Sequence, residues 1–242
     1  MSENLDALAT VWPRLVDGIF VTLQLTVGGS LLAFVLAAVL GIAARHPHVV
    51  VRGAARTFIE FFRGTSLLVQ LFWFFYVLPL FGIELSSLFT GILALGLNYG
   101  AYGAEVVRGA LNSVPKGQWE ASIALSLSPM RRLFRIVWPQ AWAIMIPSLS
   151  NLGIMLLKGS AVAYVILMHD ITFVTNQLRQ MTNDTFFSYG VGMVIYFLIA
   201  YVLVLIANFA EIHAKNKLGT GPPLRDVFRP RAIRTGQPGA VN

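Results

Sequence analysis

Five long apolar runs alternate along the chain with shorter stretches in which the charges collect. A helix that crosses a bilayer needs roughly 20 mostly apolar residues. Runs of that kind cover residues 18–44, 64–83, 85–108, 141–168 and 185–210. The first holds no charge, and only Glu84 separates the second from the third. The inner end of the third, from Glu105, already lies at the membrane boundary. The fourth is broken by one charge, Lys158. This pattern predicts an all-α integral membrane protein with five transmembrane helices.

The distribution of Lys and Arg orients the spans, because cytoplasmic loops carry the excess of both. With the N-terminus outside, the inner segments hold Arg45, Arg52, Arg56 and Arg63, then Arg108, Lys116, Arg131, Arg132 and Arg135, then Lys215, Lys217, Arg225, Arg229, Arg231 and Arg234. The outer segments hold only Arg14 and Arg179, so fifteen inner positions face two outer ones. The C-terminus is therefore cytoplasmic. Residues 1–17 are expected as an external N-terminal segment, 18–217 as the transmembrane domain and 218–242 as a basic, disordered tail beside anionic headgroups. Glu3 and Asp6 precede any basic residue, so the start is not a signal peptide and the first span is read as retained.

Composition narrows the classes further. The chain is 56% hydrophobic and 12% charged, about half the charge of a soluble domain. It has no cysteine, which excludes disulfides, thiolate metal sites and cysteine nucleophiles. The net charge of +7 calls for no nucleic acid, because cytoplasmic Lys and Arg account for it. A P-loop is absent: the stretch nearest to one, Gly153 to Ser160, has Lys158 in place of the second glycine and lies inside a span. His46 and His48 flank Pro47 in a basic loop and are expected to face solvent. Neither enzymatic activity nor a cofactor or metal is expected.

The polar stretch from Pro115 to Pro139 is long for a loop between spans. Pro115 suits the first turn of a helix, and residues 118–127 favour one. Ser128 and Pro129 suit the N-cap and first turn of a second. In that second helix Met130, Leu133, Phe134 and Val137 form an apolar face, and Arg131, Arg132 and Arg135 a basic one. Pro139 is expected to break it. The small side chains of Ala121, Ser122, Ala124, Ser126 and Ser128 would let another backbone approach. Such a pair of helices either rests on headgroups or docks on another protein. Outside, Ile171, Val174, Leu178 and Met181 fall at helical spacing. They predict a surface helix that either covers the bundle or meets an external partner.

Polar groups inside spans usually face protein or a water-filled path. Glu105 and Arg108 share a helix face and can pair, either to hold that helix end or to gate. Lys158 can snorkel, bond carbonyls or meet a substrate carboxylate. Gln70, Asn98 and Asn151 can link helices or contact cargo. An ion-coupled secondary carrier for a small zwitterion is the alternative to a permease driven from outside the chain. It would need acids at mid-membrane, and no acidic residue lies well inside a span.

The polar loop also carries a resemblance. Glu120-Ala121-Ser122, then Ser126, then Ile136-Val137-Trp138-Pro139 resembles the cytoplasmic signature of permease subunits of ATP-binding-cassette importers, Glu-Ala-Ala, three residues, Gly, nine residues, Ile-x-Leu-Pro. Every gap is preserved. Ser122, Ser126 and Trp138 depart from Ala, Gly and Leu, and Ser126 removes the residue best suited to a sharp turn. Gly18 to Thr26, Phe62 to Gln70, Ala101 to Gly109 and Leu157 to Ser160 look like the polar-amino-acid branch, which includes histidine, glutamine, glutamate and ectoine-type permeases. The resemblance implies a type I importer permease in the bacterial inner membrane, working by alternating access. It implies a dimer of partner ATPases, a second permease subunit, identical or sibling, and an external substrate-binding protein. It also implies that Glu120, Ala121, Ser122, Ser126, Leu127 and Ser128 receive the ATPase's motion. The arginines of the second loop helix then meet ATPase acids or membrane lipid. The implied cargo is a polar amino acid or a similar solute, ectoine-type solutes included.

Overall fold

A computed structural model describes residues 2–217, and every regular element among them is a helix. The expected tail, 218–242, lies outside the described residues. Helix α1 runs unbroken over Ser2–Ala43, 42 residues, or about 63 Å at 1.5 Å per residue. The boundary expected at residue 18 is therefore not a break. Val11 and Leu15 are buried against Val174 and Leu178, so packing extends the helix across the stretch expected as a separate N-terminal segment, through Pro13.

The second apolar run, 64–83, is helical over Leu67–Phe81 and is entered through a corner. Helix α2 (Val49–Gly64) begins well before it, and Thr65 and Ser66 are extended. Helix α3 (Leu67–Phe72) then continues through a wide turn at Trp73–Val77 and a tight one at Leu78–Phe81. The two arms meet at a 100° bend. The extended residues free carbonyls of the last turn of α2, which then need other partners.

Helix α4 (Ser87–Ser113) is the central element, capped by Ser86, whose hydroxyl accepts from the Phe89 N–H at 3.3 Å. It packs along α1 through small residues. A side-chain carbon at Gly100 would come within 2.9 Å of Leu36 Cβ and 3.2 Å of the Ala33 carbonyl, and one at Gly103 within 2.7 Å of Ala37 Cβ. Small residues of this kind let membrane helices approach closely. After α4 come two short helices, α5 (Lys116–Ala124) and α6 (Pro129–Arg132). Helix α7 (Trp138–Ser160) follows, extended by a tight turn at Ala161–Ile166. Pro139 does not break the pattern as expected. A wide turn over Leu133–Val137 precedes it, with the Trp138 N–H donating to the Leu133 carbonyl. The widened turn carries α6 into α7 and relieves the clash a proline causes with the carbonyl four residues back.

Helix α8 (Ile171–Thr182) covers one end of α1 and α9 (Thr185–Lys217). Ile171, Val174 and Leu178 are buried as their spacing predicts, whereas Met181 is exposed. Three helical stretches among the described residues are long and apolar enough to cross a membrane, 3–43, 129–166 and 185–214, and the bent pair α2–α3 makes a fourth. Helix α4 has the length, at 27 residues, but carries Asn98, Glu105 and Arg108.

Asp170 fixes the base of α8. Its side chain accepts from the Phe173 N–H at 2.9 Å and from the Tyr196 hydroxyl at 3.4 Å. Gly18 of α1 lies against its backbone, where a side-chain carbon would come within 3.1 Å. Burial raises the Asp170 carboxyl to about 6, against the hydrogen bonds from Phe173, Thr172 and Tyr196 that favour its charge.

Two outcomes are expected. Gly100→Leu separates α1 from α4 and lowers the thermal midpoint in detergent, at a cost of ~2 kcal/mol; an unchanged midpoint would mean that the helices are not in close contact. For Asp170, the folded protein holds the proton more tightly than the unfolded chain. Stability from this group is therefore greatest at low pH and falls as pH rises from 3.8 to about 6, by on the order of 1–3 kcal/mol. Asp170→Asn, which keeps the capping oxygen, removes that decline; thermal scans between pH 4 and 7 that slope equally in both proteins would refute it.

Candidate coupling loop and transport path

The geometry of the polar loop starts at the end of α5. The Ser126 N–H donates to the Ile123 carbonyl at 2.8 Å, and the Leu127 N–H reaches back to Ser122 at 3.1 Å. This pair of bonds closes a helix C-terminus when the first of the two donor residues turns left-handed. Ser126 has φ 54°, so it occupies the left-handed position where the resemblance places glycine. The sharp turn is thus made despite the serine. Ser128 stands at the N-cap of α6, but its hydroxyl makes no capping bond; its carbonyl accepts from the Arg132 N–H at 2.9 Å. Arg132 also donates to the Leu127 carbonyl at 3.4 Å.

Helix α5 has two different faces. Glu120, Ala121, Ile123, Ala124 and Leu125 are exposed, with Leu125 at 72%. Ser122 is buried, and its hydroxyl donates to the Trp119 carbonyl at 2.6 Å. Trp119 packs inward against a cluster that includes Leu111 and Val114 from the end of α4 and Val137 and Ala141 around the start of α7. The Arg45 guanidinium lies over its ring, 4.9 Å from the centroid. Burial, and then the neighbouring positive charge of Arg108, holds Arg45 below the ordinary guanidinium value. Trp119 and Arg45 are site residues that the motif's spacing does not mark. The sequence signal for Trp119 is a single large aromatic among small and polar neighbours.

The intramembrane candidates separate into three groups. Gln70 and Asn98 converge on the bend between α2 and α3. Both donate to the Phe62 carbonyl, at 3.0 and 3.1 Å, and Gln70 also donates to the Thr65 hydroxyl at 2.7 Å. Tyr102, which the sequence did not single out, donates to the Arg63 carbonyl at 3.2 Å and lies beneath the Arg63 guanidinium. Glu105 and Arg108 form the second group. Arg108 Nε donates to both carboxylate oxygens, at 3.1 and 3.2 Å. Asn151 and Lys158 form the third, on α7. There Ile144, Ser148, Asn151, Met155 and Lys158 are all exposed, and their spacing places them on one face. The structure does not bring this face to the first two groups. A separate cavity of about 840 Å³ lies between α1, α4, α7 and α9, with Phe34, Tyr99, Trp142 and Leu156 in its walls. None of the six intramembrane candidates lines it.

A left-handed conformation costs a non-glycine residue roughly 1–2 kcal/mol. Ser126→Gly is therefore expected to raise the thermal midpoint, by ~1 kcal/mol of stability, with transport retained. A lowered midpoint would mean that the serine hydroxyl supplies something the backbone geometry does not reveal.

Comparison with known proteins gives a consistent result. The family described as binding-protein-dependent transport system inner membrane component matches residues 29–212. A Sinorhizobium fredii protein named "Probable amino-acid ABC transporter permease protein" is 42% identical over 200 residues, 80% of this chain and 84% of that protein. The L-cystine transport system permease of Bacillus subtilis is 34% identical over 201 residues, 83% of this chain and 86% of the relative. Among solved structures, an amino acid ABC transporter crystallised with histidines superposes with a TM-score of 0.77 at 28% identity, covering 84% of this chain and 95% of that one. With an all-helical fold of the type I importer kind and a preserved loop motif, the chain belongs to the binding-protein-dependent inner membrane component family, as a multi-pass permease subunit of an amino-acid ABC importer.

Proposed function

We propose that the chain spans the bacterial inner membrane five times, with its N-terminus outside and its C-terminus in the cytoplasm. Two permease subunits, identical or sibling, form the membrane part of the importer. A dimer of ATP-binding-cassette ATPases docks beneath them and hydrolyses the ATP, and a substrate-binding protein delivers cargo outside. Residues 115–139 are the coupling loop, in which Glu120, Ala121, Ser126, Leu127 and Ser128 form the joint with the ATPase, and Ser122, expected to belong to it, is buried and supports it from within. Its motion drives alternating access.

The observation that carries this reading is the outward face of α5. A helix resting on anionic headgroups turns cations toward them. Helix α5 has one exposed cation, Lys116 in its first turn, and beyond it turns out Glu120, two alanines and the apolar side chains of Ile123 and Leu125. That combination suits a groove in a protein. The family resemblance supports the same partner.

The exposed face of α7 supports a transport path. Lipid contact would place an ammonium and an amide, Lys158 and Asn151, against hydrocarbon, which is expensive. A water-filled path or a second permease subunit satisfies both. Lys158 is then the residue for the carboxylate of a polar amino acid or similar solute, the L-cystine relative being one precedent. Gln70 and Asn98 hold the helix break, and Glu105 with Arg108 forms a pair one turn apart within α4.

Glu120→Arg is expected to leave the permease inserted, to release the ATPase on purification and to abolish uptake; normal uptake with the ATPase still bound would remove the coupling assignment. Lys158→Met should lower uptake of a carboxylate-bearing cargo by about tenfold or more, the loss expected for one charge-assisted contact. Uptake equal to that of the unaltered protein would leave Lys158 a structural residue.

A further inference from the structure

The outward face of α5 accounts for docking. It leaves open how a nine-residue helix moves the much longer helices above it. Its inner face answers through one side chain. Trp119 packs into a cluster that joins Val107, Leu111 and Val114, at the end of α4 and just beyond it, to Ala141 and Met145 at the start of α7. Arg45 closes over the other side of the ring, 4.9 Å from its centroid. Arg45 is tied to the last turn of α1, its N–H donating to the Ile42 carbonyl at 3.0 Å. One indole therefore lies between a cluster shared by α4 and α7 and the arginine that follows α1. A polar link from α7 to α5, Gln140 Nε2 donating to Gln118 Oε1, is exposed and measures 3.4 Å.

We infer that Trp119 is the positioning residue that passes the movement of α5 to α1, α4 and α7, and that Arg45 is the clamp that ties it to α1. An indole is suited to this task because it is large and has only two side-chain torsions, so it transmits displacement with little slack. The buried Ser122 hydroxyl, bonded to the Trp119 carbonyl at 2.6 Å, stiffens the turn of α5 that carries the ring. A cation over an indole face is attracted by the ring's negative π-cloud, so the clamp holds without filling the space a larger side chain would need. The inference rests on the reading of α5 as the coupling helix.

The test uses the whole transporter, permease with its ATPase, in liposomes supplied with the binding protein. Tritiated L-amino acids are screened, and the one that unaltered liposomes accumulate serves as cargo. The readout is the number of ATP molecules hydrolysed per cargo molecule imported. In Trp119→Ala the ATPase should still co-purify in full and hydrolyse at a comparable rate, while ATP per cargo rises ~tenfold, within the range by which residues along a coupling route act. Arg45→Gln should raise the ratio ~threefold and Arg45→Lys restore it, because the cation is kept. Adding Arg45→Gln to Trp119→Ala should raise the ratio no further, as expected of two residues acting as a unit. An unaltered ratio in Trp119→Ala overturns the inference, and so does loss of the ATPase from the complex, which would make Trp119 part of the dock. If Trp119→Ala does not insert, Trp119→Phe and Arg45→Gln decide by the same ratio. Glu120→Arg separates the two levels. If it leaves docking and uptake intact, the coupling reading itself falls. If it releases the ATPase while Trp119→Ala keeps the unaltered ratio, only the role of Trp119 falls.

Discussion

The fold depends first on keeping backbone polar groups satisfied in hydrocarbon. Water is not available there, so each N–H and C=O must find a partner within the protein. Straight helices meet this requirement by themselves. The bend at Thr65 and Ser66 does not, because it frees the carbonyls of the preceding turn. Gln70, Asn98 and Tyr102 supply the donors, reaching the Phe62 and Arg63 carbonyls from α3 and α4. Their placement locks α4 against the bend, and the glycines of α4 in turn admit α1. Gln70, Asn98 and Tyr102 are thus the donors that close the corner.

Much of this was legible in the sequence. Apolar runs marked the long apolar helices, and the period of Ile171, Val174 and Leu178 gave the covering helix with its buried face. The spacing of the Glu120 motif gave the family. What escaped is local and has a physical reason. The apolar run 64–83 matches the helical turns over Leu67–Phe81, but its pattern carries no sign of the corner at its start or of the charged helix α2 before it. Proline usually stops a helix, yet at Pro139 a wide turn absorbs its missing donor. An apparent start at Gly18 reflects where charge ends, whereas the helix continues for as long as Val11 and Leu15 find a partner in α8. For the candidate site, spacing marked the exposed residues of α5 and could not mark Arg45, which lies 74 positions before Trp119 and meets it only through the fold.

The substitution of serine for the family's glycine illustrates how motif and geometry divide the work. The turn after α5 requires a left-handed residue, and Ser126 adopts that conformation at an energetic cost. The motif therefore records the least costly residue for a shape, and the hydrogen bonds from Ser126 and Leu127 impose the shape itself. On the proposed function, the turn's rigidity matters more than its composition, because a joint that yields would absorb the ATPase stroke.

Helix α1 has a further meaning when its length is set beside its neighbours. Near one end it is followed by Arg45, which lies over the Trp119 ring; toward the other, Val11 and Leu15 are wedged under α8. A continuous helix of 42 residues resists compression along its axis. The two ends of the bundle are thereby bound into a single mechanical body, as a pushrod joins a cam to a valve. A displacement at either end arrives at the other without an intervening chain of loop rearrangements.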